Sequence, residues 1–252
     1  MTTQLLIYER AAAVSSERHR DWCVRADGDF AFAKHVNSVP LTAVEFPNAA
    51  AEYAIVFTGN EDAVMPAVIL GARDKENLYI TESGWDAKYV PAFLRRYPFV
   101  FSSGDEGDRF TLCIDEEFSG CNQEGRGERL FDADGNQTQY LTNVLEFLKA
   151  YQAHFQQTQA FCAKLKELEL LEPMQAQFTP PGGTTMSLTG FMAISRDKLK
   201  ALPADKLAEL AKTDELELMY LHLQSMRNVV TMAQRLGGEN AGETPEGGGS
   251  PL

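Results

Sequence analysis

WDAKYVPAFLRRYPFVF, residues 85–101, is the stretch around which the chain is organised, because it places aromatic rings beside two adjacent arginines. Four of its rings recur at steps of four, the spacing of one helix face: Trp85, Tyr89, Phe93 and Tyr97. Pro91 cannot lie inside a helix without the loss of a backbone hydrogen bond, so a short helix is predicted to begin near Val90. Pro98 should end that helix, and residues 99–102 should continue as a strand.

Arg95 and Arg96 therefore fall on the last turn of the predicted helix. There they would complement the negative end of the helix dipole, which accounts for both residues in structural terms. The functional alternative is an aromatic and guanidinium surface that grips a carboxylate, a phosphate or a peptide. The candidate binding residues of that surface are Trp85, Tyr89, Arg95, Arg96 and Tyr97, together with the more distant His222.

The N-terminal half of the chain has the patterns of β-strands. Residues 36–46 alternate apolar and polar side chains, and the runs 53–58 and 67–71 flank a turn-prone segment, so a hairpin is predicted. Residues 99–102 and 110–114 should pair as antiparallel strands. Two shorter strands are predicted at residues 4–8 and 78–81.

From Thr138 onward the apolar spacing becomes helical. One apolar stripe runs over residues 141–168 and should end by Pro173. A helix of that length exceeds a small core, so we expect it to break near Gln156 or to pack against a second copy in a homodimer. A strand at 184–194 and helices at 195–202, 204–212 and 214–236 are predicted to follow, with Gly237 as the stop.

These patterns together predict an α+β fold, with a single domain over residues 1–236. Residues 1–120 should be mainly β, and residues 138–236 mainly α and packed on the sheet. The loop 120–135 contains four glycines and is long enough to have a functional role or to be mobile. The tail 237–252 contains six glycines and two prolines, so it is predicted to be disordered.

Composition and charge exclude several classes of function. A net charge of -13 and the lack of a basic face argue against nucleic-acid binding. No stretch reaches membrane-spanning length, and the N-terminus lacks a signal-peptide core. The four cysteines are widely spaced without a C-x-x-C pair, which favours reduced thiols, a cytoplasmic location and no metal site. No cofactor is expected.

Motifs of known chemistry are weak in this sequence. Asp132 to Asn136 resembles the opening of a calcium loop but lacks the glycine and glutamate that calcium needs, so an Asx-rich turn is predicted. His222 could project into a cleft, or it could pack within the helical layer. The acidic run 115–117 could pair with the two arginines or form a solvated strand end. There is no G-x-S-x-G or H-E-x-x-H motif.

The segment W-D-x-x-Y-V-P-A-F-L-R-R-Y-P-F at residues 85–99 resembles the signature of the bacterial SapC family. L-x-G-F-M at 188–192, S-R-D-K-L at 195–199 and Y-L-H-L-Q-S-M at 220–226 are similar to that family's C-terminal block. The resemblance implies a link to surface-layer operons and to nearby hydroxylases or halogenases, and it brings no catalytic residues. A permease that shares the name is a membrane protein, which this sequence is not.

Three functions remain open at this point. The first is a non-catalytic cytoplasmic binding or accessory protein that recognises a peptide or a partner enzyme, such as a hydroxylase or halogenase encoded nearby. The second is an enzyme with an arginine-lined pocket, in which His222 or a carboxylate would transfer protons. The third, surface-layer assembly, would require export.

Overall fold

The structure, a computed structural model, describes residues 6–25, 28–60, 63–103, 110–179 and 185–239 of the 252-residue chain. Its strands are β1 (Ala11–Ala13), β2 (Cys23–Val24), β3 (Ser38–Pro40), β4 (Ile55–Gly59), β5 (Val64–Ile69), β6 (Ile80–Thr81), β7 (Gly84–Trp85), β8 (Phe99–Ser103), β9 (Phe110–Asp115), β10 (Cys121–Asn122), β11 (Glu128–Arg129), β12 (Leu171–Phe178) and β13 (Met186–Ile194). Its α-helices are α1 (Ser16–His19), α2 (Phe46–Ala49), α3 (Ala92–Arg95), α4 (Gln139–Glu167), α5 (Arg196–Ala201), α6 (Ala204–Lys212), α7 (Glu215–Ser225) and α8 (Asn228–Glu239).

The fold is α+β, as predicted, and its largest sheet has the strand order β12-β13-β4-β5-β3. The predicted hairpin is present as β4 and β5, which pair antiparallel from Ile55 opposite Val68 to Gly59 opposite Val64. The first three residues of β4 are fully buried, and α7 packs on β4 and β13 while α4 contacts the neighbouring strand β5. The sheet therefore joins strands from both halves of the sequence into one core.

A second sheet has the strand order β1-β9-β8, and its strand β8 includes the end of the segment 85–101. β8 and β9 pair antiparallel from Phe99 opposite Ile114 to Ser103 opposite Phe110, as predicted. β10 and β11 flank β2 in a small sheet, and β6 pairs with β7. The last of these pairings fixes the start of residues 85–101.

The long helix α4 is continuous over 29 residues, so the predicted break near Gln156 is wrong. Leu141 and Leu148 near its start belong to a core cluster around the second sheet, while Phe161 and Leu165 belong to the main core. Two core clusters of the same chain therefore pack against the apolar stripe of α4. Packing of α4 on a second copy stays a prediction, but the length of the stripe no longer requires it.

Two N-terminal predictions need correction. The strand predicted at 4–8 lies partly outside the described residues, and residues 6 and 7 form a turn, with β1 following at Ala11–Ala13. The strand predicted over 36–46 is limited to Ser38–Pro40. Thr42 ends it, because its N–H and hydroxyl both donate to the Glu45 carboxylate at 2.8 Å and start a helical turn.

The C-terminal half also differs from its prediction. The sequence predicts no strand at β12, because Pro173 signals the end of a helix, but proline is tolerated in an edge strand such as this one. The helix predicted over 214–236 is divided into α7 and α8, where the buried Asn228 amide donates to the Ala50 and Tyr53 carbonyls at 2.9 Å. α8 continues past Gly237 to Glu239, so the predicted stop is wrong. The predicted disorder of residues 240–252 lies outside the described residues.

Candidate binding groove

Residues 85–101 do not form one aromatic helix face. Trp85 lies in β7, Tyr89 lies in an irregular segment, and only Ala92–Arg95 is α-helical. Two carboxylates fix this path. Glu52 accepts the Lys88 N–H at 2.8 Å and the Tyr89 N–H at 2.9 Å.

The second carboxylate, Glu45, is buried and holds the start of α3. It accepts the Ala92 N–H at 2.7 Å and the Tyr89 hydroxyl at 2.8 Å, in addition to its two bonds from Thr42. Burial, then the Glu45 charge and hydrogen bond, raises the pKa of Tyr89. Tyr89 is therefore a neutral donor that links the core carboxylate to the surface next to Arg95.

Trp85 packs inward rather than forming an open surface. Its indole N–H donates to the Tyr53 hydroxyl at 3.0 Å, and its ring stacks on Tyr79 with centroids 5.9 Å apart. The Tyr53 hydroxyl in turn donates to the Tyr89 carbonyl. The half-buried Trp85 thus anchors the segment to the core, with one edge against the Phe30 ring.

The adjacent arginines lie in opposite environments. Arg95 is exposed, and its Nε donates to the Val90 carbonyl at 3.0 Å. Its guanidinium carbon lies 5.7 Å from the Tyr89 ring centroid and 5.4 Å from that of Phe147. Among the described residues it has no carboxylate partner, so its charge is available at the surface.

Arg96 is a core residue, with 4% of its surface exposed. Its guanidinium carbon lies 4.4 Å from the Phe93 ring centroid, 5.0 Å from that of Tyr151 and 5.7 Å from that of Tyr8. Burial raises the pKa of Tyr8, and the Arg96 charge and hydrogen bond oppose that change. Arg96 therefore stabilises the interior through cation–π contacts and is not exposed at the groove surface.

Tyr97, which follows α3, packs its side chain against aromatic rings from two other segments of the chain. Its ring stacks on Phe32 with centroids 4.1 Å apart, and Phe118 meets it edge-on at 5.1 Å. Its hydroxyl donates to the buried Asp115 carboxylate at 3.1 Å. Burial, then the Asp115 charge and hydrogen bond, raises the pKa of Tyr97, so the hydroxyl is neutral and committed to orienting the ring.

These rings wall a groove of about 240 Å³, which we call the aromatic groove. It contains two of the predicted residues, Arg95 and Tyr97. The remaining lining was missed by sequence reasoning and consists of Arg25, Gly28, Asp29, Phe30, Phe32, Leu94, Phe118, Ser119 and Gly120. The available signal was the Phe30 and Phe32 pair in G-D-F-A-F, which no periodicity connects to residues 85–101.

His222 lies elsewhere, fully buried between α7 and the main sheet. Its Nε2 accepts the Ile194 N–H at 3.0 Å, and its ring centroid is 5.0 Å from that of Phe57. Burial lowers the pKa of His222 to about 4, against a smaller opposing effect of the Ile55 backbone. The imidazole is therefore neutral at pH 7, and it packs in the core rather than projecting into a cleft.

The acidic run 115–117, which begins at the last residue of β9, also has a structural role. The Asp115 carboxylate accepts the Glu9 N–H at 2.8 Å and the Arg10 N–H at 2.9 Å, besides the Tyr97 hydroxyl. Burial raises the pKa of Glu116, but hydrogen bonds from Arg18 and Arg10 outweigh that effect and lower the pKa to about 2. These carboxylates hold the N-terminal segment rather than pairing with Arg95.

The described residues offer little for catalysis or metal binding near the groove. Burial, then the charges of Asp115 and Glu116, raises the pKa of the Cys121 thiol to about 12, so it is not a nucleophile at neutral pH. Asp132 forms the predicted Asx-turn by accepting the Asp134 and Asn136 N–H groups at 3.0 and 2.8 Å. Within the described part of the chain, no group of acidic, histidine or cysteine side chains is arranged to hold a metal ion.

Comparison with known proteins gives one result. The family model for SapC matches residues 14–232, which is most of the chain. The chain belongs to the SapC family. No curated protein and no solved structure matches it.

The SapC motif residues have visible roles in the packing. Arg235 of α8 donates to the Asp86 carbonyl at 3.0 Å and pairs with its carboxylate, while its guanidinium carbon lies 4.3 Å from the Tyr79 ring centroid. In the C-terminal block, Ser225 accepts the Ile55 N–H at 3.0 Å. Asp86 and Ser225 of the SapC motifs thus hold helices α8 and α7 against the rest of the fold, and Arg95 is the arginine of the motif that lines the groove.

In the described ranges, no helix is both long enough and apolar enough to cross a membrane.

Proposed function

We propose that this SapC protein is a non-catalytic binding or accessory protein that recognises a peptide segment of a partner through the aromatic groove. The observation that carries the proposal is the juxtaposition of four aromatic rings with the exposed Arg95 guanidinium around one concave surface. Rings supply contact area with little loss of side-chain entropy, and an arginine supplies a directional charge.

The local geometry supports a preformed site. Tyr97 is held by Asp115 and by stacking on Phe32, and Arg95 is held by the Val90 carbonyl and the Tyr89 hydroxyl, the latter at 3.4 Å. A site whose side chains are already ordered loses less conformational entropy on binding. These restraints favour recognition over a purely solvated face.

An enzyme is the weaker alternative. It would need a general base or nucleophile at the groove, and His222, the residue expected to serve, is buried against Ile194 and Phe57. Asp29 lines the groove but accepts the Ala31 N–H at 2.8 Å.

We also propose a cytoplasmic site of action, which the four unpaired cysteines support. A hydroxylase or halogenase encoded nearby is a candidate partner, and a role in surface-layer assembly has no added support.

Quantitative affinity capture from the native host, followed by mass spectrometry, tests the proposal. Two variants perturb the groove: Arg95→Ala removes its charge, and Ser119→Trp fills it from an exposed position. Arg196→Ala is the matched control, because Arg196 is also an exposed arginine over a tyrosine ring, at 5.9 Å from Tyr220.

We expect a specific partner that the wild type and the Arg196 variant retain and that both groove variants lose. Melting temperatures of all proteins must agree within a few degrees, so that loss of capture is not loss of fold. Capture of the same proteins by every variant would refute the aromatic groove as the recognition surface.

A further inference from the structure

A row of side chains connects α8 to the aromatic groove. The guanidinium carbon of Arg235 lies 4.3 Å from the Tyr79 ring centroid. The Tyr79 ring stacks on Trp85 with centroids 5.9 Å apart, and Trp85 meets Phe30 edge-on at 5.6 Å. Phe30 is one of the rings that line the aromatic groove. The last turns of α8 are therefore three short steps from the groove.

The part of the tail that follows α8 is long enough to cover this distance. α8 ends at Glu239, and residues 240–252 lie outside the described residues. An extended chain covers about 3.3 Å per residue, so these thirteen residues can span about 40 Å. The three steps from Arg235 to Phe30 amount to less than half of that length, which leaves chain for the final turn of α8 and for a path over the surface. The groove is therefore within reach of the tail of its own chain.

The tail sequence N-A-G-E-T-P-E-G-G-G-S-P-L, residues 240–252, contains one large apolar side chain, that of Leu252. Pro251 precedes it, so the two form an apolar pair, and proline has few conformations to lose when it is bound. Residues 247–249 are glycines that separate this pair from the rest of the tail, and Gly-rich spacers connect two sites without fixing a direction. The order of residues is that of a short apolar ligand attached through a spacer.

The aromatic groove has the size and the surface for such a ligand. Its volume is about 240 Å³, which is below the range of pockets for drug-sized molecules. The Phe32 and Tyr97 rings stack at 4.1 Å, and Phe118 stands edge-on to Tyr97 at 5.1 Å. The Tyr97 hydroxyl is bonded to Asp115, so its ring contributes apolar surface to the wall. A proline ring and an aliphatic side chain pack favourably on aromatic rings.

The backbone around the groove leaves side-chain packing as the means of holding a ligand. Residues 118–120 form a turn after β9, residues 28–30 precede a short 3-10 helix, and residues 94–97 end α3. None of these three segments is a β-strand, so a docked peptide gains no pairing with a sheet edge there. A two-residue apolar unit suits this surface, because it binds through its side chains.

We infer that Pro251 and Leu252 occupy the aromatic groove of their own chain and compete with the partner peptide. The inference rests on the proposed function and adds its regulation. A short Gly-rich spacer holds an attached ligand at an effective concentration on the order of 1 mM. A dissociation constant near that value is enough for the tail to occupy about half of the grooves. A partner peptide must then displace the tail, which lowers its apparent affinity about twofold or more.

Photocrosslinking within the full-length protein tests the contact. Ser250 is replaced by p-benzoylphenylalanine, which leaves Pro251 and Leu252 unchanged, and the products of irradiation are mapped by mass spectrometry. We expect crosslinks within one chain to residues 28–32, 94–97 or 118–120. Leu252→Ser should lower their yield about fivefold or more, because it removes the apolar side chain. Pro245→Gly, at the other proline of the tail, is the matched control and should leave the yield unchanged.

Three results of this experiment would overturn the inference. They are crosslinks that avoid the groove, crosslinks that join two chains, and crosslinks that keep their full yield in Leu252→Ser. Ser119→Trp, which fills the groove, should also remove the products. A yield unchanged by that filling would mean that the tail lies elsewhere.

Partner capture separates this inference from the proposed function. Full-length Leu252→Ser should capture at least about twofold more partner than wild type, and Pro245→Gly should capture as much as wild type. Equal capture by Leu252→Ser and wild type would overturn the competition. If the tail crosslinks fail while capture still depends on Arg95 and Ser119, the proposed function stands without this regulation. If capture is insensitive to both groove residues, the proposed function fails, and the competition fails with it.

Discussion

Replacement of His222 by glutamine should remove a defined part of the pH dependence of stability. The wild-type imidazole is fully buried and accepts the Ile194 N–H through Nε2, so protonation would remove that acceptor and place a charge in the core. A glutamine carbonyl can accept the same N–H and does not titrate. The substitution therefore separates proton binding from packing.

The magnitude follows from the two pKa values of the imidazole. The unfolded chain takes up the proton near pH 6.5, and the folded chain takes it up only near pH 4. Because the unfolded state binds more protons in this interval, the contribution of His222 is fully present above pH 6.5 and is lost as the pH falls through the interval. At about 1.4 kcal/mol per pH unit, the loss by pH 4 is roughly 3 kcal/mol.

Urea unfolding at several pH values between 7 and 4 measures this loss. Wild type should lose about 3 kcal/mol more than His222→Gln over that range, while His35→Gln, at an exposed histidine, should follow the wild-type curve. Parallel pH curves for wild type and His222→Gln would refute the assignment of a neutral, buried imidazole.

Three further predictions concern the core and assembly. Arg96→Ala should lower the free energy of unfolding by about 3 kcal/mol, because it empties a site between aromatic rings, whereas Arg95→Ala should cost less than about 1 kcal/mol. Equal losses in urea unfolding would contradict that difference. Glu45→Gln should lower the free energy of unfolding by about 2 kcal/mol in the same assay, since an amide nitrogen would face N–H and hydroxyl donors. A loss near zero would contradict the role of the Glu45 carboxylate in holding the start of α3. Finally, if a homodimer forms through α4, Phe155→Asp should make it monomeric by light scattering, and a wild-type monomer at micromolar concentration would rule the dimer out.

The sequence determined those elements that local patterns specify. The β4–β5 hairpin, the pairing of β8 with β9 and the bounds of α6 match their predictions closely. In each case alternation or helical spacing lies between clear turn or proline signals, and the interactions that decide the structure connect near neighbours in the chain. The motif spacing of residues 85–99 was likewise sufficient to identify the family.

Only the tertiary structure decided which side chains of residues 85–101 are buried and which are exposed. Arg95 and Arg96 are chemically identical neighbours, and their difference arises because Tyr8 and Tyr151, distant in sequence, enclose the second guanidinium. β12 was missed for a similar reason, since its partner strand β13 and not its own pattern makes it a strand.

The aromatic groove depends most clearly on the tertiary structure, because its lining residues are far apart in the sequence. Its walls come from Arg25 and from residues in the ranges 28–32, 94–97 and 118–120, which share no periodicity, and buried hydrogen bonds set the path that brings them together. Glu45 fixes the start of α3, and Asp115 orients Tyr97. A sequence pattern records which face of an element is apolar, but the direction of a side chain in an irregular segment depends on such distant partners.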